Sequence, residues 1–224
     1  MDMAFPLTIA DRTIETGPQL LELIIEDTGA GGGTVVKGET PPTWIVKAQE
    51  QGSLTTVEMR GLAAALIQRG LPASVSVGAR LAMVLGDAEL GPLLLHALAG
   101  HDVGLLLALD PLDQERSIED TLLRASAEVV DASDPDLREQ LLTGLRNASL
   151  PEVEVDILLR FGDTEQIRRW LPAIFTEALD VPSVAPFQEA SNRSPEIAKA
   201  IDDALDALPP EIRQRVDEQL GHSR

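Results

Sequence analysis

Between residues 75 and 109 the chain sets blocks of leucine, valine and alanine between nearly regular Gly-Asp or His-Asp pairs. Glycine ends a helix and aspartate caps the next, so this punctuation predicts three short helices joined by tight turns. The downstream sequence repeats the pattern more loosely. Thr55 and Glu58 have the form of a capping box and open a helix that stops at Gly70. A second helix is predicted from about Val75 to Leu85, ended by Gly86. Asp87 caps a third, reaching Gly100, and Asp102 a short fourth that ends before Pro111.

Further helices are expected from Ser117 to about Val130 and after the N-cap pair Asp134 and Pro135. Another runs from Ser149 and Pro151 to Phe161, and another from Asp163, in which Pro172 should kink or break the helix. The last two begin at Ser194-Pro195 and at Pro209-Pro210. Residues 1–53 read differently. Pro18 and QLLELIIED predict one helix, and TGAGGGT at 28–34 is the single low-complexity segment. Residues 34–37 and 43–47 look like two short strands across the turn at 38–42. Residues 181–193, VPSVAPFQEASNR, read as a polar linker.

The helix starts at Thr55, Asp87, Ser117 and Ser149 lie 32, 30 and 32 residues apart. A period near 30 that carries two helices is what stacked hairpins produce, because one hairpin cannot bury its apolar face alone. Three segments align: GDAELGPLLL at 86–95, SDPDLREQLL at 133–142 and GDTEQIRRWL at 162–171. With Leu85-Gly86-Asp87 and Phe161-Gly162-Asp163 as turns, residues 55–179 resemble HEAT-like repeats of the short bacterial kind. The first-helix arginine common in such repeats is missing from residues 103–108. The resemblance implies an irregular α-solenoid of helical hairpins. The expected fold is therefore all-α, with a small α+β N-terminal element of two short strands at 1–53. A HEAT-like body at 54–180, a linker at 181–193 and a C-terminal helical hairpin at 194–221 complete it.

Composition narrows the function. Aromatic residues make up 3% with no Tyr, which suits helices better than strand-rich folds. The 37 acidic and 18 basic residues give a net charge of −19, which repels phosphate backbones and anionic lipid. Nucleic acid and membrane surfaces are thus poor partners, whereas a protein with a basic surface fits. The absence of cysteine removes disulfides, thiolate metal sites and cysteine nucleophiles. Without a secretory signal or an 18-residue apolar run, the expected compartment is the cytoplasm.

Candidate chemistry is sparse. Gly29, Gly31, Gly32 and Gly33 suggest a phosphate loop, but Lys37 is followed by Gly38 and Glu39 rather than the Ser or Thr a P-loop needs. His96 and His101 could meet near Asp102, without a recognisable metal spacing, and His222 stands apart. Acidic pairs such as Glu119 and Asp120 fall at helix first turns or solvent faces, where carboxylates complement the dipole. Arg160, Arg168 and Arg169 beside Trp170 are the one concentration of positive charge, a pairing that interface anchors favour. No catalytic, cofactor or metal residues are assigned. The expected function is a non-enzymatic scaffold, adaptor or regulatory subunit binding another protein. A small-ligand domain or enzyme with a pocket near the 29–33 loop is one alternative, and an inhibitor or chaperone-like protein for a basic partner is another.

Overall fold

The computed structural model describes residues 7–9, 12–29, 41–50, 52, 54–100, 103–145, 150–177 and 185–220. Of these, 80% are helical, and no helix among them is long and apolar enough to cross a membrane. The chain divides into two compact units, residues 1–131 and 132–224.

The first unit opens with the antiparallel pair β1 (Leu7–Ile9) and β2 (Arg12–Ile14). Helices α1 (Gly17–Gly29) and α2 (Pro41–Glu50) follow, and both pack on α4. Helix α3 (Thr56–Arg69) starts at the capping box its sequence predicts: Glu58 N–H donates to Thr55 Oγ1 at 3.2 Å, and Thr55 N–H to Glu58 Oε2 at 2.8 Å. Helix α4 (Pro72–Leu85) ends at Gly86, whose φ of 57° is a left-handed value that glycine adopts without steric cost. Gly78 permits the α3–α4 contact, since a Cβ there would stand 2.9 Å from Ile67 and 3.0 Å from the Ala63 carbonyl oxygen. A 3-10 turn (Ala88–Leu90), capped by Asp87, leads into α5 (Gly91–Gly100) and α6 (Val103–Leu106). The hairpin β3 (Leu109–Asp110) and β4 (Asp113–Ser117) then delivers the chain to α7 (Ile118–Val129).

The packing in this unit is layered. Helix α3 pairs with α4 and α5 with α7, while α4 lies against α7 and α3 against α5. Two hairpins thus stack first helix on first and second on second. Their core includes Leu66, Ile67, Leu81, Leu94 and Leu122.

The second unit contains α8 (Pro135–Gly144), α9 (Pro151–Phe161), α10 (Thr164–Glu177), α11 (Ala185–Arg193), α12 (Pro195–Asp206) and α13 (Pro210–Leu220). Asp134 caps α8 and Ser194 caps α12, both with proline next, as their dipeptides predict. The layering recurs: α9 pairs with α10 and α11 with α12, while α10 lies against α12 and α9 against α11. Residues Ile167, Leu171 and Phe175, one turn apart, form the buried stripe of α10. Helix α10 runs through Pro172 without a break.

Several expectations need correction. Residues 43–47 are part of α2, not a strand. Trp44, Ile45 and Ala48 are buried, a helical spacing that tertiary packing imposes over the strand preference of the aromatic and branched residues. Residues 34–37, the partner strand, lie outside the described residues, as do residues 30–33 of the glycine loop. The strands that form among the described residues, β1 to β4, are ones the alternation did not reveal. Residues 185–193 are helical rather than linker: Phe187 is buried and stacks on Phe175 with centroids 6.0 Å apart. The 30-residue period also mislocates one pairing, because α7 pairs with the preceding α5.

Candidate functional site

The arginine and tryptophan cluster sits on α9 and α10 of the second unit. Arg160 pairs with Asp156 one turn back at 3.6 Å, and its guanidinium lies 5.4 Å from the Phe161 ring centroid. Arg168 reaches across to Asp203 of α12 at 2.9 Å, with both side chains 43% exposed. Arg169 is exposed and forms no ion pair among the described residues, and Trp170 is half-buried. The structure therefore turns Arg160 and Arg168 toward different partners. Within the cluster, Arg168 and Arg169 are the exposed residues.

The most elaborate polar arrangement is in the first unit, and sequence reasoning missed it. Asp110, at the start of the β3–β4 turn, is fully buried. Its Oδ1 accepts from Ser76 Oγ at 2.6 Å and from the Leu112 N–H at 2.8 Å. Its Oδ2 accepts from Thr121 Oγ1 at 2.6 Å and from Arg80 at 2.9 Å. Burial pushes this carboxyl up, but the hydrogen bonds from Ser76, Thr121 and Leu112 and the Arg80 charge outweigh it. The net effect holds Asp110 below its ordinary range. A carboxylate that already accepts four bonds has little left to offer a substrate. Its role is to tie the β3–β4 hairpin to α4 and α7. An Asp-Pro dipeptide reads as a surface turn, and only its partners 34 and 11 residues away explain the burial.

Around this node the α4 and α7 surfaces are unusually polar for an interior. Asp120 completes a buried capping box with Ser117. Ser74 and Ser126 are fully buried, and their hydroxyls find no hydrogen-bond partner among the described residues. Glu119 stands in the first turn of α7, one of the two places expected of it, but it is only 4% exposed. Burial, and secondarily the charge of Asp120, raises its carboxyl from 4.5 to about 7.

The cations of this acidic chain are largely committed inside it. Arg60 bridges Asp87 and Glu89, Arg12 pairs with Glu26, and Arg213 holds Asp206 and Asp217. Three more arginines donate to main-chain carbonyls of earlier helices: Arg69 to Ile25, Arg193 to Leu159 and Arg160, and Arg215 to Phe175. A shallow cleft of about 170 Å³ opens between the C-terminal ends of α3 and α5, lined by Ile67, Gln68, Leu93, His96, Ala97 and Gly100. The described residues contain no group of three or more His, Asp or Glu placed to hold a metal ion, and His101, Asp102 and His222 lie outside them.

No protein-family model matches this chain. No curated protein and no solved structure is significantly similar to it.

Proposed function

We propose that this chain is a non-catalytic protein-interaction module of the cytoplasm, a scaffold, adaptor or regulatory subunit built from HEAT-like stacked hairpins. The observation that carries the reading is the recurrence of one arrangement in both units, first helices layered on first and second on second. Stacked hairpins of this kind offer an extended ridge of helices, the usual use of repeat architectures. The internal commitment of the arginines supports a partner with a basic surface, since it leaves the outward charge of a −19 chain dominated by carboxylates. Arg160, Arg168, Arg169 and Trp170 are the proposed anchors in this acidic setting, with Arg169 the foremost.

The test is to capture and identify the partner with the intact chain, then compare its affinity for the wild type and for Arg168→Glu with Arg169→Glu. The expected result is at least tenfold weaker binding with little change in melting temperature, because an exposed pair such as Arg168–Asp203 contributes only about 0–1 kcal/mol. Unchanged affinity would remove the cluster from the binding face. Binding that also weakens steeply with salt would support the basic surface on the partner.

A further inference from the structure

Most cations of this chain are engaged, and the exceptions gather in the second unit. Among the described residues, Arg138, Arg169 and Lys199 are the lysines and arginines whose side chains form no hydrogen bond or ion pair. Every described lysine and arginine of the first unit is engaged. Arg169 and Lys199 stand on α10 and α12, which pack together. The same helices carry two carboxylates without a partner, Glu165 and Asp202. All four side chains are exposed. Their neighbours are taken: Arg168 by Asp203, Glu196 by Ser194 and Asp206 by Arg213. Among the described side chains this face therefore offers two free charges of each sign.

These charges are also level with one another. Arg193 at the end of α11 donates to the Leu159 and Arg160 carbonyls at the end of α9. Helices α10 and α12 start directly after those two ends, so they run in the same direction. The Arg168–Asp203 bond, at 2.9 Å, fixes their relative height. Glu165 and Lys199 both stand one turn before it, and Arg169 and Asp202 both stand beside it. A two-fold axis along the helices, passing over that bond, sets α10 of one copy on α12 of the other. Glu165 then meets Lys199 of the second copy, and Arg169 meets its Asp202. A single-signed face needs a partner of opposite sign, whereas this one complements itself, as an isologous contact requires. The net charge of −19 does not forbid it, because in 0.15 M salt charges beyond about 8 Å are largely screened.

We propose that the α10–α12 face is a two-fold contact between copies of this chain, made by Glu165 on Lys199 and Arg169 on Asp202. The inference rests on the interaction-module reading for Arg169 as an anchor, and adds that a second copy occupies that anchor when no other protein does. Exposed ion pairs are individually weak, so the dimer belongs to the low-affinity class, with a Kd of about 0.1 mM.

The experiment is sedimentation equilibrium of the full chain from about 20 µM to about 1 mM, in salt of physiological strength. The wild type should be mostly monomeric at the lower end and mostly dimeric at the upper. Arg169→Glu with Lys199→Glu makes all four positions acidic, and Glu165→Lys with Asp202→Lys makes all four basic. Each variant alone should stay monomeric, with a melting temperature close to the wild type because the positions are exposed. Mixed in equal amounts, the two should form a heterodimer at least as tight as the wild-type dimer. Association restored by mixing separates a lost contact from a folding defect. A wild type that stays monomeric at the top of the range overturns the inference, as do variants that still self-associate or a mixture that does not associate. A monomeric chain that captures another protein overturns only this contact. One that dimerises this way yet captures no other protein overturns the separate partner of the module reading and keeps the contact.

Discussion

In residues 1–131 the second helices of the two hairpins, α4 and α7, meet beside Ser76, Asp110 and Thr121. In residues 132–224 the corresponding pair, α10 and α12, buries Ile167, Leu171, Phe175, Ala200, Ile201, Ala204 and Leu205. Every buried polar or charged residue among those described lies in the first unit. One layering is thus held in two ways. An apolar seam depends on area and tolerates small shifts, whereas a saturated carboxylate network fixes direction and responds to protonation. The ion pair that joins α10 to α12 in the second unit, Arg168–Asp203, lies at the surface instead.

The sharpest way to break the comparison is Asp110→Ala. It leaves two hydroxyls, an amide and a guanidinium facing a vacated acceptor, and removing one member of a buried charged network costs about 3–5 kcal/mol. Hydrogen exchange should speed up in α4, α7 and the β3–β4 hairpin, while α9 to α12 keep their protection. Equal loss in both units would mean that they unfold as one.

The next effect is a pH dependence confined to the first unit. Glu119 titrates at about 7 folded against 4.5 as its ordinary value, so the folded form prefers it protonated. Its contribution is therefore most favourable below pH 4.5 and is lost as pH rises through 7. Between pH 5 and pH 8 this amounts to about 2 kcal/mol. Urea midpoints should fall over that interval in the wild type more than in Glu119→Gln, and parallel pH profiles would show that Glu119 reaches water. The smallest effect belongs to the Arg168–Asp203 ion pair of the second unit. Arg168→Ala should move the urea midpoint by less than about 1 kcal/mol equivalent, shrinking further in salt.

What the sequence made legible follows the range of the interactions. Thr55–Glu58, Asp134–Pro135 and Ser194–Pro195 are local signals, and each cap forms where it was read. Trp44 and Ile45 were misread because residues 43–47, four of them branched or aromatic, fit strand or helix equally, and packing decides. Asp110 carried no signal of its own, and Glu119 read only as a first-turn or solvent-face acid, because the burial of both is created by segments distant in sequence. The partner of Arg168, Asp203, lies 35 residues on, and no local pattern marks it.

The arginines that close helix ends have a consequence in time. Arg69, Arg193 and Arg215 each reach back to a carbonyl earlier in the chain, with separations of 44, 33 to 34 and 40 residues. A chain made from its N-terminus at about 5–20 residues per second therefore exposes each helix end roughly 2–9 seconds before its latch exists. Every latch comes from a residue made later than the carbonyl it holds, so vectorial synthesis and the order of closure run in the same direction.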